Sequence, residues 1–283
     1  MKIMRSVVMS GTMLAAGVLA PSVSTAAAAD ASTNAGRELL LRQVDAVIGI
    51  EMVVTMKVKM GDREMPTRER RVEVNGTVLT PGGLTVASLA QVDPATEIEA
   101  MQMAQPGRQL ELLGADFKEV KLRRANGTEV PARFVLKDAD LDLAFIAPEG
   151  AAEGSGEMTE FAHVDLSADT EGAILDTFYS VTRAPKALQR VPVMQETAVV
   201  GIVEKPRRIY LMRDVSLGSP VFDGEGKLLG LALQHFAGGR RVGIVVLPAV
   251  DIAEVAKQAE VAQKSAVSPP ESAAAEAGEA DGN

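Results

Sequence analysis

The stretch EMVVTMKVKMG, Glu51 to Gly61, sets Met52, Val54, Met56, Val58 and Met60 on one side of an extended chain and Lys57 and Lys59 on the other. Apolar residues at a period of two fit a half-buried strand, because a helix would scatter them around its circumference. Turn signals at Asn75-Gly76, Pro81-Gly82-Gly83, Asn126-Gly127 and Asp223-Gly224 then separate short runs of Val, Leu and Ile. Turns at such short intervals predict an all-β sandwich or barrel.

Helical spacing occurs at the two ends of this β-rich region. In RELLLRQVDAVIG, Leu40, Val44, Val47 and Ile48 predict a short N-terminal helix ahead of a first strand beginning at Ile50. In LPAVDIAEVAKQAEVA, Val250, Ile252, Val255 and Ala256 form an apolar stripe after Pro248 and predict a helix packed on the last β unit. EGAAEGSGEM, Glu149 to Met158, is the expected linker between two β units. The organisation expected is therefore a signal peptide over 1–29 and a linker and N-terminal helix over 30–49. A first β unit follows over 50–150, then a second with its C-terminal helix over 151–263, and a disordered acidic tail over 264–283.

The signal peptide rests on Lys2 and Arg5, the apolar run from Val7 to Ala20 and the small residues of SVSTAAAA, with cleavage expected near Ala29. Gly11, Gly17 and Pro21 interrupt that run, so it does not predict a stable membrane span once the signal is removed. Export to the periplasm or the extracellular space is the expectation. The chain has no Cys, so no disulfide holds it together, and neither a thiolate metal site nor a Cys nucleophile is available. Aromatic residues make up only 3% of the chain and Trp is absent, so the core must be built from aliphatic side chains, Ala and Met. A net charge of -9 argues against a nucleic-acid partner. The basic clusters TRERR, Thr67 to Arg71, and KLRR, Lys121 to Arg124, carry no aromatic residues for base stacking and read as solvated strand faces.

Three segments, in order, resemble the trypsin-like serine proteases, most closely the HtrA/Deg branch of exported quality-control proteases. NGTVLTPGGLTVASLAQV is similar to the hairpin that carries the catalytic His, whose position falls on Ala90. KLRRANGTEVPARFVLKDADLDLAFI resembles the D-x-x-x-D-L-A-hydrophobic segment and places the catalytic Asp at Asp142. DVSLGSPVFDGEGKLLG lays the family's G-N-S-G-G-P on Val215, Ser216, Leu217, Gly218, Ser219 and Pro220, with Leu217 at the nucleophile. The likeness runs from Glu51 to Val255 and implies two six-stranded-type β-barrels with short N- and C-terminal helices, without a PDZ domain.

A serine protease needs a base within hydrogen-bond reach of the hydroxyl, a buried carboxylate orienting that base, and backbone N–H groups facing the oxyanion. Ala90 cannot act as a base and Leu217 cannot act as a nucleophile, so no residue is expected to be catalytically active at the degenerate positions Ala90, Asp142 and Leu217. Val215 and Ser219 replace two family glycines, which leaves Val215, Ser216, Gly218, Ser219 and Pro220 as a remnant of the oxyanion loop. Ser216 and Ser219 read as turn residues bonding nearby backbone, and no Lys lies at S-x-x-K spacing. The two histidines, His163 and His235, fall outside the base position and read as surface or partly packed side chains.

Asp142 is expected to cap the turn before a buried strand. Asp138, Asp140, Asp142 and Glu149 match four positions of a calcium loop, but Leu143 stands where that loop needs Gly, so no metal is expected. No cofactor is expected either. The resemblance implies an exported pseudoprotease that binds a polypeptide partner. The alternative is an active serine-type endopeptidase with an unrecognised catalytic arrangement.

Overall fold

The computed structural model describes residues 25–105, 107, 109–149, 160–238 and 240–265. Helix α1 (Thr25–Gln43) and a short 3-10 turn (Val44–Ala46) lead into β1 (Val47–Met60). The strand therefore begins ahead of the expected Ile50, and Val47 and Ile48 belong to it instead of to the helix. The two-residue β2 (Arg63–Glu64), β3 (Arg68–Val78), β4 (Thr85–Ser88), helices α2 (Leu89–Val92) and α3 (Pro94–Ala104), β5 (Leu110–Arg123), β6 (Glu129–Asp138) and β7 (Leu143–Pro148) follow. Strands pair in the order β1-β3-β4-β7-β6-β5, and β5 returns to β1, which closes a six-stranded antiparallel barrel. Of the alternation read over residues 52–60, Met52, Val54 and Met56 are buried and Lys57 is exposed, but beyond it Val58 and Lys59 are both half-buried and Met60 is 37% exposed, where the end of β1 pairs with the two-residue β2.

The second barrel comprises β8 (Thr177–Arg183), β9 (Pro192–Val203), β10 (Ile209–Met212), β11 (Pro220–Phe222), β12 (Leu228–Ala237) and β13 (Arg240–Pro248), closed in the order β10-β13-β12-β11-β8-β9. Closure removes the open edges that would otherwise pair with other chains. Helix α4 (Ala249–Ser265) follows and buries Ile252, Val255, Ala256 and Ala259. Val250, expected in that apolar stripe, is 63% exposed, because the buried face of α4 starts from Ala249 and Ile252.

Three of the four turn signals form turns: Gly83 N–H donates to Thr80 O at 2.9 Å, Gly127 sits at φ +85 between β5 and β6, and Asp223 N–H donates to Lys227 O at 3.0 Å. Asn75-Gly76 instead lies inside β3. Asn75 Nδ2 donates to Thr182 Oγ1 at 3.1 Å and to Arg183 O at 2.6 Å in the second barrel. A Cβ on Gly76 would stand 2.6 Å from Ile50 Cδ1, so this glycine marks a close approach of packed chains, not a reversal.

The largest apolar cluster joins the two barrels. Leu143, Phe145 and Ala147 of β7 pack with Leu231 and Leu233 of β12, Ile252 and Ala256 of α4, and Leu39 of α1. Leu39, not Leu40, is the fully buried residue of α1. Both tyrosines, Tyr179 and Tyr210, are buried in the second barrel. TRERR and KLRR form the charged outer face of β3 and β5: Arg70 pairs with Glu97, Lys121 with Glu119 at 2.5 Å and Arg123 with Glu129 at 2.6 Å.

The expected signal peptide (1–29), linker (149–158) and acidic tail (264–283) lie outside the described residues, except that α1 already runs through 25–29, Glu149 is described and α4 continues through 264–265. No helix among the described residues is long and apolar enough to cross a membrane.

Phe145 is 0% exposed at the junction of the barrels. Phe145→Ala is expected to lower the unfolding free energy by about 3–5 kcal/mol, read as a lower urea midpoint at unchanged slope.

Candidate functional site

Strand β4 runs buried from Thr85 to Ser88 and then turns into the single-turn helix α2. The turn is tight because a new helix starts at once: Asp93 Oδ1 accepts from Ala95 N–H at 3.0 Å, and Pro94 occupies the first position of α3, where its missing N–H costs nothing. This places Ala90, half-buried, on the wall of the cleft between the barrels. On the neighbouring strand, Asp142 precedes β7 at φ 60, a left-handed conformation that Asp tolerates better than most residues.

Asp142 is 1% exposed. Its Oδ1 accepts from Ala90 N–H at 2.7 Å, and its Oδ2 accepts from Ser88 Oγ at 2.6 Å and from Gln234 N–H of the second barrel at 2.7 Å. Leu89 N–H also donates to its backbone carbonyl at 2.9 Å. Burial pushes its pKa above the ordinary aspartate value, and this outweighs the opposing pull of the Ser88, Gln234 and Ala90 hydrogen bonds and of the Arg241 charge. The expected capping of its own turn falls to another residue: Asp138 Oδ1 accepts from Asp140 and Leu141 N–H, both at 3.0 Å. Leu143–Ile146 is the buried core of β7, and no group of three or more His, Cys, Asp or Glu among the described residues is placed to hold a metal ion.

The third segment is a strained turn bound to the first barrel. Asp214 stands at φ 53 and Gly218 at φ +79. Gly218 N–H donates to Ala232 O at 2.7 Å, Ser219 N–H to Ser216 O at 3.1 Å, and Thr77 Oγ1 donates to Gly218 O at 2.9 Å. A Cβ on Gly218 would lie 2.7 Å from Asn75 O, so the close crossing of β3 and the turn requires glycine here.

Ser219 is 0% exposed and its Oγ has no hydrogen-bond partner among the described residues, so its hydroxyl does not bond nearby backbone as expected; its N–H does, to Ser216 O. Ser216 and Leu217 are half-buried. His163 is exposed, with Nδ1 3.2 Å from Phe161 O, and His235 is half-buried on β12 opposite Gly243. Neither histidine bonds Asp142, Ser216 or Ser219 among the described residues.

The structure thus sets Ala90 directly against Asp142 and brings Gly218 of the turn Val215–Pro220 close to Gln91, the residue after Ala90. It also adds residues that the sequence reading omits: Ser88 and Gln234, which hold the Asp142 carboxylate, and Gln91 and Arg241. Gln234 is the lone amide in the apolar run LLGLALQHF, and that mismatch is the signal that could have found it. Its side chain donates to Gly243 O at 2.8 Å and to His235 O at 3.2 Å, bridging β12 and β13. Gln91 and Arg241 meet only through folding and have no such signal.

A family model described as a trypsin-like peptidase domain matches residues 70–231. The chain belongs to this family. Among solved structures, the MamO protease domain from Magnetospirillum magneticum in its apo form matches with 15% identity and a TM-score of 0.45, over 76% of this chain and 97% of that one. No curated protein matches. In a trypsin-like peptidase domain the buried carboxylate orients an imidazole. In this chain the Asp142 carboxylate is shared among a hydroxyl and two backbone N–H groups.

Asp142→Ala would leave three donors buried without an acceptor, and a loss of about 2–5 kcal/mol in unfolding free energy is expected. Because the native pKa of Asp142 lies above its unfolded value, its stabilising contribution is complete at pH below that unfolded value. The contribution falls as pH rises through the native pKa. Unfolding free energies of wild type and Asp142→Asn, measured from acid to neutral pH, should therefore diverge in favour of the variant as pH rises.

Proposed function

We propose that this chain is an exported, HtrA-like member of the trypsin-like peptidase family that has lost protease chemistry and binds polypeptide in the cell envelope. The observation that carries the reading is the filled carboxylate of Asp142, whose contacts at the cleft are Ala90 N–H, Ser88 Oγ and Gln234 N–H. A Ser hydroxyl is a poor nucleophile at neutral pH unless a base withdraws its proton. Ala90 supplies none, Leu217 has no hydroxyl, and the one serine oxygen buried in the turn, Ser219 Oγ, is closed to substrate.

Binding needs less than catalysis does. β12 pairs with β11 only over Leu228–Leu231, while β13 covers its other edge as far as Ala237. Among the described residues β11 does not pair with β12 beyond Leu231, and this edge is where an extended partner strand would add through backbone hydrogen bonds, an interaction that requires no nucleophile. His235 and Phe236 are half-buried there and Ala237 is exposed. The periplasm or the extracellular space is the proposed location, on the charge and apolar pattern of residues 1–29.

The test is the purified mature chain with a fluorophosphonate probe and with an unfolded protein substrate. Retention of the unfolded chain on the immobilised protein, with neither labelling nor cleavage, is expected. Covalent labelling at Ser216 or Ser219, or cleavage that persists after both are changed to Ala, would overturn the reading in favour of an active endopeptidase.

A further inference from the structure

The loop between β8 and β9, residues 184–191, has no apolar anchor. Pro185, Lys186, Ala187, Leu188, Gln189 and Val191 are exposed, and the 3-10 turn within it, Lys186–Leu188, buries no residue. Arg190 is its half-buried exception. This side chain crosses to the first barrel, where Nε donates to Glu73 Oε1 at 2.6 Å and Nη2 donates to Glu51 Oε1 at 2.8 Å.

The backbone that presents Arg190 is strained. Gln189 at φ 60 and Arg190 at φ 53 are consecutive residues with a Cβ in the left-handed region, which a chain holds only where other contacts impose it. The loop's own hydrogen bonds at this point are long: Arg190 N–H donates to Pro185 O and Val191 N–H to Leu188 O, both at 3.4 Å. Between Lys186 and the outer faces of β1, β3 and β5 lies a cavity of about 400 Å³, so the loop borders open space there instead of packed side chains.

The carboxylates that hold Arg190 belong to a longer run of charges on the first barrel. Glu51 is shared with Arg123 at 3.4 Å, Arg123 meets Glu129 at 2.6 Å, and Lys121 meets Glu129 at 3.4 Å. Departure of Arg190 strands none of them: Glu51 keeps Arg123, while Glu73, with 30% of its side chain exposed, and Arg190 itself turn to water. Both positions of the loop therefore leave every charge satisfied, as an element with two populated positions requires.

We propose that residues 184–191 are a strap between the barrels, latched by Arg190 on Glu51 and Glu73 and released by ionic strength. The latch is electrostatic and partly exposed, so dissolved ions reach it, and the screening length falls from about 30 Å at 0.01 M to about 3 Å at 1 M. The base of the loop stays in place, because Arg183 donates to Val47 O at 2.6 Å and to Val44 O at 2.8 Å, and Asn75 donates to Arg183 O at 2.6 Å. Release thus moves the loop without parting the barrels, and it opens the cavity beside Lys186. The strap does not depend on what the cleft binds.

The test is limited proteolysis of the purified chain by trypsin, which cuts after Lys186, at about 0.02 M and about 1 M NaCl, with rates normalised to a small trypsin substrate in the same buffers. The cleavage rate follows the population of the open loop when opening and closing are fast relative to cutting. Cleavage after Lys186 should rise at least about threefold at high salt, as screening of two surface ion pairs implies, while cleavage elsewhere in the barrels does not. Arg190→Gln should be cut at the faster rate at both salts with an unchanged circular dichroism spectrum, and Glu73→Gln, which keeps the Glu51 contact, should fall between it and wild type. Equal rates at the two salts, a rise shared by every cleavage site, or an Arg190→Gln chain protected like wild type at low salt would overturn the strap. The wild-type comparison decides the matter even where a variant does not fold.

Discussion

The carboxylate of Asp142 is the point through which the cleft is held. A carboxylate this far from water persists only if donors surround it, because an unpaired charge or polar group in the interior carries a desolvation cost of several kcal/mol. Its three donors come from β4, from α2 and from β12, so satisfying one side chain fixes two segments of the first barrel against a strand of the second. These contacts register the two barrels against each other. Thr77 on Gly218 O and Asn75 on Arg183 O extend the same seam, each with a first-barrel side chain satisfying a second-barrel carbonyl.

Around that polar seam the junction is apolar. Phe145 and Leu143 on one side and Leu231 and Leu233 on the other make the junction a low-dielectric region, which strengthens the hydrogen bonds of the 1%-exposed Asp142 and raises the cost of losing any one. Glycine is used where this packing brings backbones together: Gly218 passes under Asn75 O, and Gly230 lies where a Cβ would overlap Leu247 O. The positions of the cleft residues thus follow from close packing between strands distant in sequence.

Much of the architecture was legible in the sequence because it is written in local periodicity. The alternation from Ile50 to Met56 gave the face of β1, and turns at Gly83, Gly127 and Asp223 formed as read. The failures share one physical origin, which is that a local pattern does not report tertiary contact. Asn75-Gly76 has the composition of a hairpin turn, yet cross-barrel bonding of Asn75 and the packing around Gly76 keep it in a strand. Asp142 has the sequence setting of a turn cap, yet Asp138 caps the turn while Asp142 reaches residues 52 and 92 positions away. The ordered motifs singled out Ala90, Asp142 and the turn around Gly218, and the structure sets Ala90 against Asp142 and Gly218 beside Gln91. They could not name Ser88, Gln234 or Arg241, whose part depends on which strand lies opposite.

The placement of the two tyrosines makes the halves of the molecule optically unequal. With no Trp in the chain and Tyr179 and Tyr210 both inside the second barrel, ultraviolet emission carries signal from that half alone, and the first barrel is dark. Backbone dichroism sees both. The two spectroscopies therefore view different portions of one chain, and the interval between their melting curves measures how firmly the junction couples them.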